Sequence, residues 1–377
     1  MKWKIPLFKI YWDEDNINSI TKVIKRGTYW TTGSEIVQLE KELASYVGTK
    51  YALTFNSGTS ALHADLIANN IKEGEVIVPS FTFISTANSV LLAGAKPVFA
   101  EIEDETYGLC CEDVKEKINR ETKAIMPVHY AGGPCKDIKA LKEIAEDHKL
   151  ILIEDAAESL GSTLDNKNVG TFGDSSMFSF CQNKIISGGE GGVILTNSKE
   201  IYEKLKLIRS HGRQEGKEDY FLTTKEPDYA EIGFNFRMSS ITAALVLSQL
   251  KKIDKIIKLR NKKAEYYNKN LSKIKEIKTP VKLKNSSHVF QMYTVKFENN
   301  KTRERVKKQL EKSGIMSKIY FEPVHLKTFY KKSFDYKEGD LPITEEISKK
   351  VLTLPLYPSL ENKNLDYITS KIRKCLE

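Results

Sequence analysis

Residues 51–62 read YALTFNSGTSAL, and this stretch contains the unit from which the predicted fold is built. Tyr51–Phe55 is apolar and rich in β-favouring residues, which predicts a short strand. The small residues after it predict a tight turn. Apolar positions then recur with helical spacing from Ser60 to Ile71. The stretch therefore predicts a strand whose carboxyl end leads through a small-residue turn into a helix.

The same alternation continues to about residue 200. Predicted strands are Tyr51–Phe55, Glu75–Val78, Pro97–Ala100, Ala124–Val128, Leu150–Ile153, Ser176–Ser179 and Gly192–Thr196. Predicted helices between them are Ser60–Ile71, Ser85–Ala93, Asp113–Ile118 and Ile138–His148. Such alternation predicts an α/β fold, with a mostly parallel seven-stranded sheet sandwiched by helices. Ligands of such folds bind at the carboxyl ends of the strands.

The pattern changes after about residue 250. The predicted elements there are a Lys-rich helix at Ile241–Leu271, a strand at Phe290–Phe297, a helix at Arg303–Ser313 and a strand near Met316–Tyr320. Because a chain of 377 residues is too long to fold around one compact core, we expect two domains. These are a large domain at 1–250 and a smaller α+β domain at 251–377.

Composition excludes several classes of protein. The net charge is +9, but much of the excess lies in the carboxy-terminal third, for example on the solvated face of the Lys-rich helix, and no nucleic-acid-binding signature is present. No apolar run is long enough to span a bilayer, and no secretory signal is apparent. The five cysteines are scattered and odd in number, which argues against disulfides and a metal site. We expect a cytoplasmic protein that binds neither membranes nor nucleic acid.

The sharpest chemical signal is SFCQNKIISGGEGG, residues 179–192. Lys184 lies between a strand and a glycine cluster whose backbone can fold closely around a planar group. An accessible, rigidly held lysine is what Schiff-base chemistry requires. The alternative, one more surface lysine in a Lys-rich chain, has equal weight on this motif alone.

A second signal is ILIEDAAES, residues 151–159, in which an apolar strand delivers Asp155 to its carboxyl end. A pyridinium cofactor needs a carboxylate on its ring nitrogen. Glu154 would point to the opposite face, because side chains alternate along a strand. A helix N-cap is the alternative role for Asp155.

Residues after two further predicted strands complete a group of candidate ligand-binding residues. Gly58 and Thr59 lie at a predicted helix start, where free backbone N–H groups form an anion site, although a plain N-cap turn is the commoner explanation. Phe83 follows the next strand and can stack on a flat ring or belong to the core. With Asp155 and Lys184, these residues supply what pyridoxal phosphate requires: a phosphate cradle, a stacking face, a partner for the ring nitrogen and a reactive lysine.

In this order the motifs resemble the DegT/DnrJ/StrS family of sugar aminotransferases, which are fold-type I pyridoxal-phosphate enzymes. The matching segments are residues 5–7, 30–33, 56–63, 78–83, 154–158, 170–174, 179–192, 233–238 and 354–358. The resemblance covers nearly the whole chain. It departs from the family at Cys181, where His is frequent, and at Ser34, where proline is usual.

The resemblance implies a role for each site residue. Lys184 is the Schiff-base lysine and Asp155 pairs with the ring nitrogen, while Phe83 stacks on the ring. The phosphate-binding residues are Gly58, Thr59 and Ser179. Asn235 reaches the phosphate of the partner subunit, which implies a homodimer with its active sites at the interface. Glu158 stands beside the phenolic oxygen, as in some perosamine-synthase-like members.

The activity implied is amino transfer from an amino acid, with glutamate expected, to a nucleotide-linked keto-sugar, through pyridoxamine phosphate. A 4-keto-6-deoxy sugar is favoured as the acceptor. Thr31 and His325 are the predicted substrate contacts. Alternatives are a dehydrating or aminobenzoate-forming relative and a non-catalytic regulatory member; the sugar dehydratases carry His in place of Lys184.

Overall fold

A computed structural model describes residues 3–214 and 220–377 of the chain. The strands are β1 Tyr51–Phe55, β2 Glu75–Pro79, β3 Lys96–Ala100, β4 Thr122–Ile125, β5 Ile151–Asp155, β6 Thr163–Leu164, β7 Lys167–Asn168, β8 Ser175–Ser179, β9 Gly192–Thr196, β10 Ile277–Lys278, β11 Ser286–Ser287, β12 Tyr293–Phe297 and β13 Val351–Leu354. The helices are α1 Glu14–Arg26, α2 Ser34–Val47, α3 Gly58–Ala68, α4 Ser85–Ala93, α5 Cys111–Lys117, α6 Ile138–His148, α7 Lys199–Arg209, α8 Ser240–Leu250, α9 Ile253–Leu271, α10 Asn300–Lys312, α11 Thr328–Phe334, α12 Pro342–Lys350 and α13 Asn362–Leu376.

The central sheet has seven strands in the order β1-β9-β8-β5-β4-β2-β3. Only β9 runs antiparallel to its neighbours, β1 and β8. The pairs from β8 through β5, β4 and β2 to β3 are all parallel. The predicted α/β class is therefore confirmed, and each predicted strand overlaps one strand of this sheet.

Helices cover both faces of the sheet, because its central strands are apolar on both sides. Strand β2 shows this alternation directly. Val76 and Val78 pack in one core cluster with side chains of α3 and α4, such as Val90. Ile77 packs in another cluster with side chains of α5 and α6, such as Leu141. The carboxyl ends of β2, β5 and β8 are thereby held at one edge.

A smaller antiparallel sheet, in the order β10-β12-β13, lies in the carboxy-terminal part of the chain. Helices α9, α10 and α13 pack around it, which confirms the expected α+β unit. Ile5 joins this core and pairs with Ile315, so the amino-terminal segment packs with the carboxy-terminal unit. The boundary between residues 250 and 251 stays a prediction.

Two elements were wrongly predicted in this region. The long helix is two helices, α8 and α9, separated at Lys251 and Lys252. No glycine or proline marks this break, and the Lys252 ammonium at the break contacts Asp13 and Asp15 of the amino-terminal region. The strand near Met316–Tyr320 is a single bridge between Lys318 and Thr353. The neighbours of β12 are instead β10 and β13, which the sequence pattern did not reveal.

Across residues 3–214 and 220–377, no helix is both long and apolar enough to cross a membrane.

Candidate active site

A cavity of about 930 Å³ opens at the carboxyl ends of β2, β5 and β8. It is lined by seven residues predicted to bind or react with a cofactor. These are Gly58, Thr59, Phe83, Asp155, Glu158, Ser179 and Lys184. They come from four separate segments of the chain, and the sheet topology brings them together as expected.

Lys184 is held in the cavity wall by the segment that follows β8. Its side chain is 14% exposed, and its Nζ lies 3.5 Å from Oε1 of Glu158. The glycine-rich loop behind it is fixed to α8, because Gln249 accepts a hydrogen bond from the N–H of Ser187 and donates one to its carbonyl. The lysine is therefore accessible and rigidly supported.

Glu158 contacts both this lysine and the backbone of Ala131. Burial raises the pKa of its carboxyl group, and the nearby Lys184 ammonium opposes that rise. Oε2 of Glu158 accepts a hydrogen bond from the backbone N–H of Ala131 at 2.8 Å. The carboxyl group is thus fixed beside the reactive amine.

The two adjacent acids of β5 face opposite sides of the sheet, as strand alternation requires. Asp155 is buried at the cavity, where Oδ2 accepts a hydrogen bond from Thr86 at 2.8 Å. Glu154 points away, and its carboxylate accepts hydrogen bonds from the N–H groups of Gly170, Phe172 and Gly173. Glu154 is therefore a structural residue of the loop beneath the sheet.

A cradle for an anion is formed where α3 begins beside the end of β8. The N–H groups of Gly58 and Thr59 belong to the first helical turn, which has no intrahelical acceptors for them. A Cβ on Gly58 would lie 3.3 Å from Oγ of Ser179. A Cβ on Gly192 would lie 2.6 Å from the carbonyl oxygen of Ser57. Glycine at both positions keeps the two segments close enough to act on one small anion.

Phe83 is 59% exposed and faces the cavity. Its ring centroid lies 6.4 Å from that of Phe321, which belongs to the carboxy-terminal segment of the wall. An apolar ring with a free face at this position can stack on a flat ligand.

Three predicted residues do not line this cavity. Thr31 lines a second cavity of about 820 Å³, which is rich in arginine and lysine. Asn235 is exposed, and its carbonyl oxygen accepts a hydrogen bond from Asn56. His325 is fully buried, with Nδ1 at 2.7 Å from Oγ of Ser80 and Nε2 at 3.2 Å from Glu345. The position of His325 is that of a structural residue, because both ring nitrogens are engaged inside the protein.

Sequence reasoning missed the carboxy-terminal wall of the cavity. Lys307, Lys318, Tyr320 and Phe321 line it, together with Lys327. More than 120 positions separate these residues from Lys184 along the chain, so no local motif connects them to it. Thr82 and Thr86, on either side of Phe83 in the sequence, were also missed. Their separation by four positions after a strand was a usable signal, because residues so spaced lie on one side of a helix.

Comparisons with known proteins agree with this geometry. Residues 11–373 match the model of the DegT/DnrJ/EryC1/StrS aminotransferase family. An uncharacterized protein of Methanocaldococcus jannaschii is 35% identical over 98% of this chain and 97% of its own. GDP-perosamine synthase of Caulobacter vibrioides is 37% identical over 93% of this chain and 92% of its own. The Helicobacter pylori aminotransferase PseC, involved in the biosynthesis of pseudoaminic acid, superposes with a TM-score of 0.91 at 29% identity, covering 99% of both chains.

The chain therefore belongs to the DegT/DnrJ/EryC1/StrS aminotransferase family. It is an enzyme, a sugar aminotransferase that depends on pyridoxal phosphate. The cavity fits this cofactor, because the anion cradle at Gly58, the buried carboxylate of Asp155 and the amine of Lys184 line one space. When bound, the cofactor supplies the electron-withdrawing ring on which amino transfer depends.

Substitution of the two adjacent acids separates catalysis from stability. We expect Asp155→Asn to lower kcat roughly 100-fold or more, because the charge opposite the ring nitrogen is lost, while the melting temperature stays near that of the wild type. Glu154→Gln should destabilise the fold by on the order of 3 kcal/mol, because one amide replaces a carboxylate that accepts three backbone hydrogen bonds. Steady-state kinetics and thermal unfolding measure the two effects, and equal effects of both variants on both quantities would contradict these roles.

Proposed function

We propose that this protein transfers an amino group from an amino acid, with glutamate expected, to a nucleotide-linked 4-keto-6-deoxy sugar. The observation that carries the proposal is the convergence of Lys184, Asp155, Glu158 and the anion cradle in one cavity. At about 930 Å³ the cavity is near the upper end of the range for small-molecule sites, so a second molecule has room beside a cofactor.

In this proposal Lys184 holds the cofactor between reactions and moves the proton once its amine is released. Its supporting loop fixes this amine in the cavity wall, from which it would move a proton of the bound substrate. Glu158, whose Oε1 lies 3.5 Å from Nζ, orients this amine. Asp155 would pair with the ring nitrogen of the cofactor and keep it protonated, and Phe83 would offer a face on which the ring stacks.

Charges on the carboxy-terminal wall support an anionic acceptor. Lys307, Lys318 and Lys327 line the same side of the cavity, and Glu322 pairs with Lys327. The Lys318 ammonium lies 4.6 Å from the ring centroid of Tyr320, which positions it at the wall. A sugar linked to a nucleotide carries a diphosphate that such ammonium groups attract. The similarity to GDP-perosamine synthase supports the same class of acceptor.

The proposed homodimer accounts for the predicted residues that lie outside the cavity. Asn235 is exposed in one chain, and Tyr29, Trp30 and Ile232 expose large apolar surfaces. Exposed apolar side chains of this size are typical of protein interfaces. We infer that a second copy covers them and that its Asn235 and Thr31 complete the site. A cytoplasmic location stays a prediction.

The acceptor and its anionic group can be tested in one assay. Wild type should transfer the amino group of glutamate to a nucleotide-linked 4-keto-6-deoxy sugar in preference to a 3-keto isomer. Lys318→Ala should raise the KM for that sugar about tenfold, the effect of one charge-assisted hydrogen bond. Lys312→Ala, an exposed lysine of α10 outside the cavity, is the matched control. A cofactor-loaded protein that aminates no keto-sugar nucleotide would refute the proposed function.

Mixed dimers test the shared site. Lys184→Ala and Asn235→Ala should each be nearly inactive alone. A mixture refolded or co-expressed at equal amounts should recover about a quarter of wild-type activity, because half of the dimers are hybrids with one intact site of two. Recovery absent from hybrids isolated by two affinity tags would place Asn235 in its own subunit's site, whereas an active Asn235→Ala variant would place it outside both sites.

A further inference from the structure

Residues 82–86 comprise the end of the connection from β2 and the first two residues of α4, and four of them line the cavity. Thr82 and Phe83 line the cavity. The hydroxyl oxygens of Thr82 and Thr86 lie 2.8 Å apart, and Thr86 lies 2.8 Å from Oδ2 of Asp155. All three polar groups are buried, with Thr86 0% exposed. A continuous chain of hydrogen bonds therefore links the cavity wall to the buried carboxylate.

The direction in which these hydrogen bonds are donated follows from the carboxylate at the end of the series. An ionised carboxylate only accepts hydrogen bonds, so the Thr86 hydroxyl donates to Asp155. The Thr86 oxygen is then free only to accept, and the Thr82 hydroxyl donates to it. Each bond in such a chain polarises the next and strengthens it in a low-dielectric site.

The carboxylate depends on these donors because of its burial. Burial raises the pKa of Asp155, and the Thr86 hydroxyl is the largest influence that opposes this rise, ahead of the backbone N–H of Ala157. The Ala157 N–H lies 3.2 Å from the other oxygen, Oδ1. Lys184 and the more distant His129, which contacts Glu154, favour the ionised form of Asp155. Asp155 and Glu158 repel each other when both are ionised, so Asp155 raises the pKa of Glu158. Thr86 and Ala157 thus hold one oxygen each and fix the rotation of the carboxylate.

We propose that Thr86 is a positioning residue for Asp155, and that Thr82 orients the Thr86 hydroxyl for this task. The inference rests on the role proposed above for Asp155 in the cofactor site. The same five-residue segment carries Phe83, so the stacking face and the support for the ring-nitrogen carboxylate are placed by one element of the chain.

The test compares Thr86→Val, which keeps the shape and removes the donor, with Thr86→Ser, which keeps the donor. Removing the donor should raise the pKa of Asp155 in the folded protein further above its unfolded value of 3.8. An acid with a raised folded pKa loses stability as pH rises from its unfolded pKa to its folded one. The melting temperature of cofactor-free Thr86→Val should therefore fall further below wild type as the pH rises above the unfolded pKa of the carboxyl group, and Thr86→Ser should stay close to wild type.

A second readout uses the cofactor. Thr86→Val should bind pyridoxal phosphate about tenfold more weakly and lower kcat, with the KM for the sugar unchanged. Thr82→Val should show a smaller effect in the same direction. A stability gap for Thr86→Val that is constant with pH, together with unchanged cofactor affinity, would overturn the inference and leave only a packing role. The stability readout needs neither cofactor nor sugar, so this result is distinct from a failure of the proposed function.

Discussion

Two adjacent carboxylates at the end of β5 constrain the structure around them. Neither can be buried without partners, because the loss of hydration of a charged group must be offset by hydrogen bonds or opposite charge. Glu154 meets this requirement beneath the sheet, where it organises the loop at residues 170–173 and pairs with His129 at 2.9 Å. Asp155 meets it at the cavity through Thr86 and Ala157. One strand therefore fixes both a structural loop and the central group of the site.

The same edge of the sheet collects the other parts of the site. Parallel strands end side by side, so the turn at Gly58, the segment at residues 82–86 and the residues after β8 converge without long loops. The carboxy-terminal wall then closes the cavity opposite them with lysines and aromatic rings. The groups proposed to hold the cofactor thus follow strands of the central sheet, whereas the groups proposed to face the acceptor come from residues 307–327.

This division explains what the sequence could predict. The sheet and the positions of Lys184, Asp155 and Gly58 follow from local patterns, since each residue stands at the end of a strand with recognisable periodicity. Tyr320 and β13 depend on contacts between distant segments, for which a single sequence has no signal. The break between α8 and α9 was missed because ion pairs with distant aspartates accompany it instead of glycine or proline. For His325, a short motif near the site did not reveal that its ring turns inward to Ser80 and Glu345.

The central claim is that Lys184 carries the cofactor and that the protein takes an amino group from an amino acid. The most direct measurement is the absorbance spectrum of purified protein with pyridoxal phosphate, before and after addition of glutamate. Wild type and Lys327→Ala, which changes another lysine of the same cavity, should show a protein-bound visible band that glutamate bleaches, whereas Lys184→Ala should lack that band. A band that survives Lys184→Ala unchanged, or that forms normally and ignores every amino donor, would contradict the account.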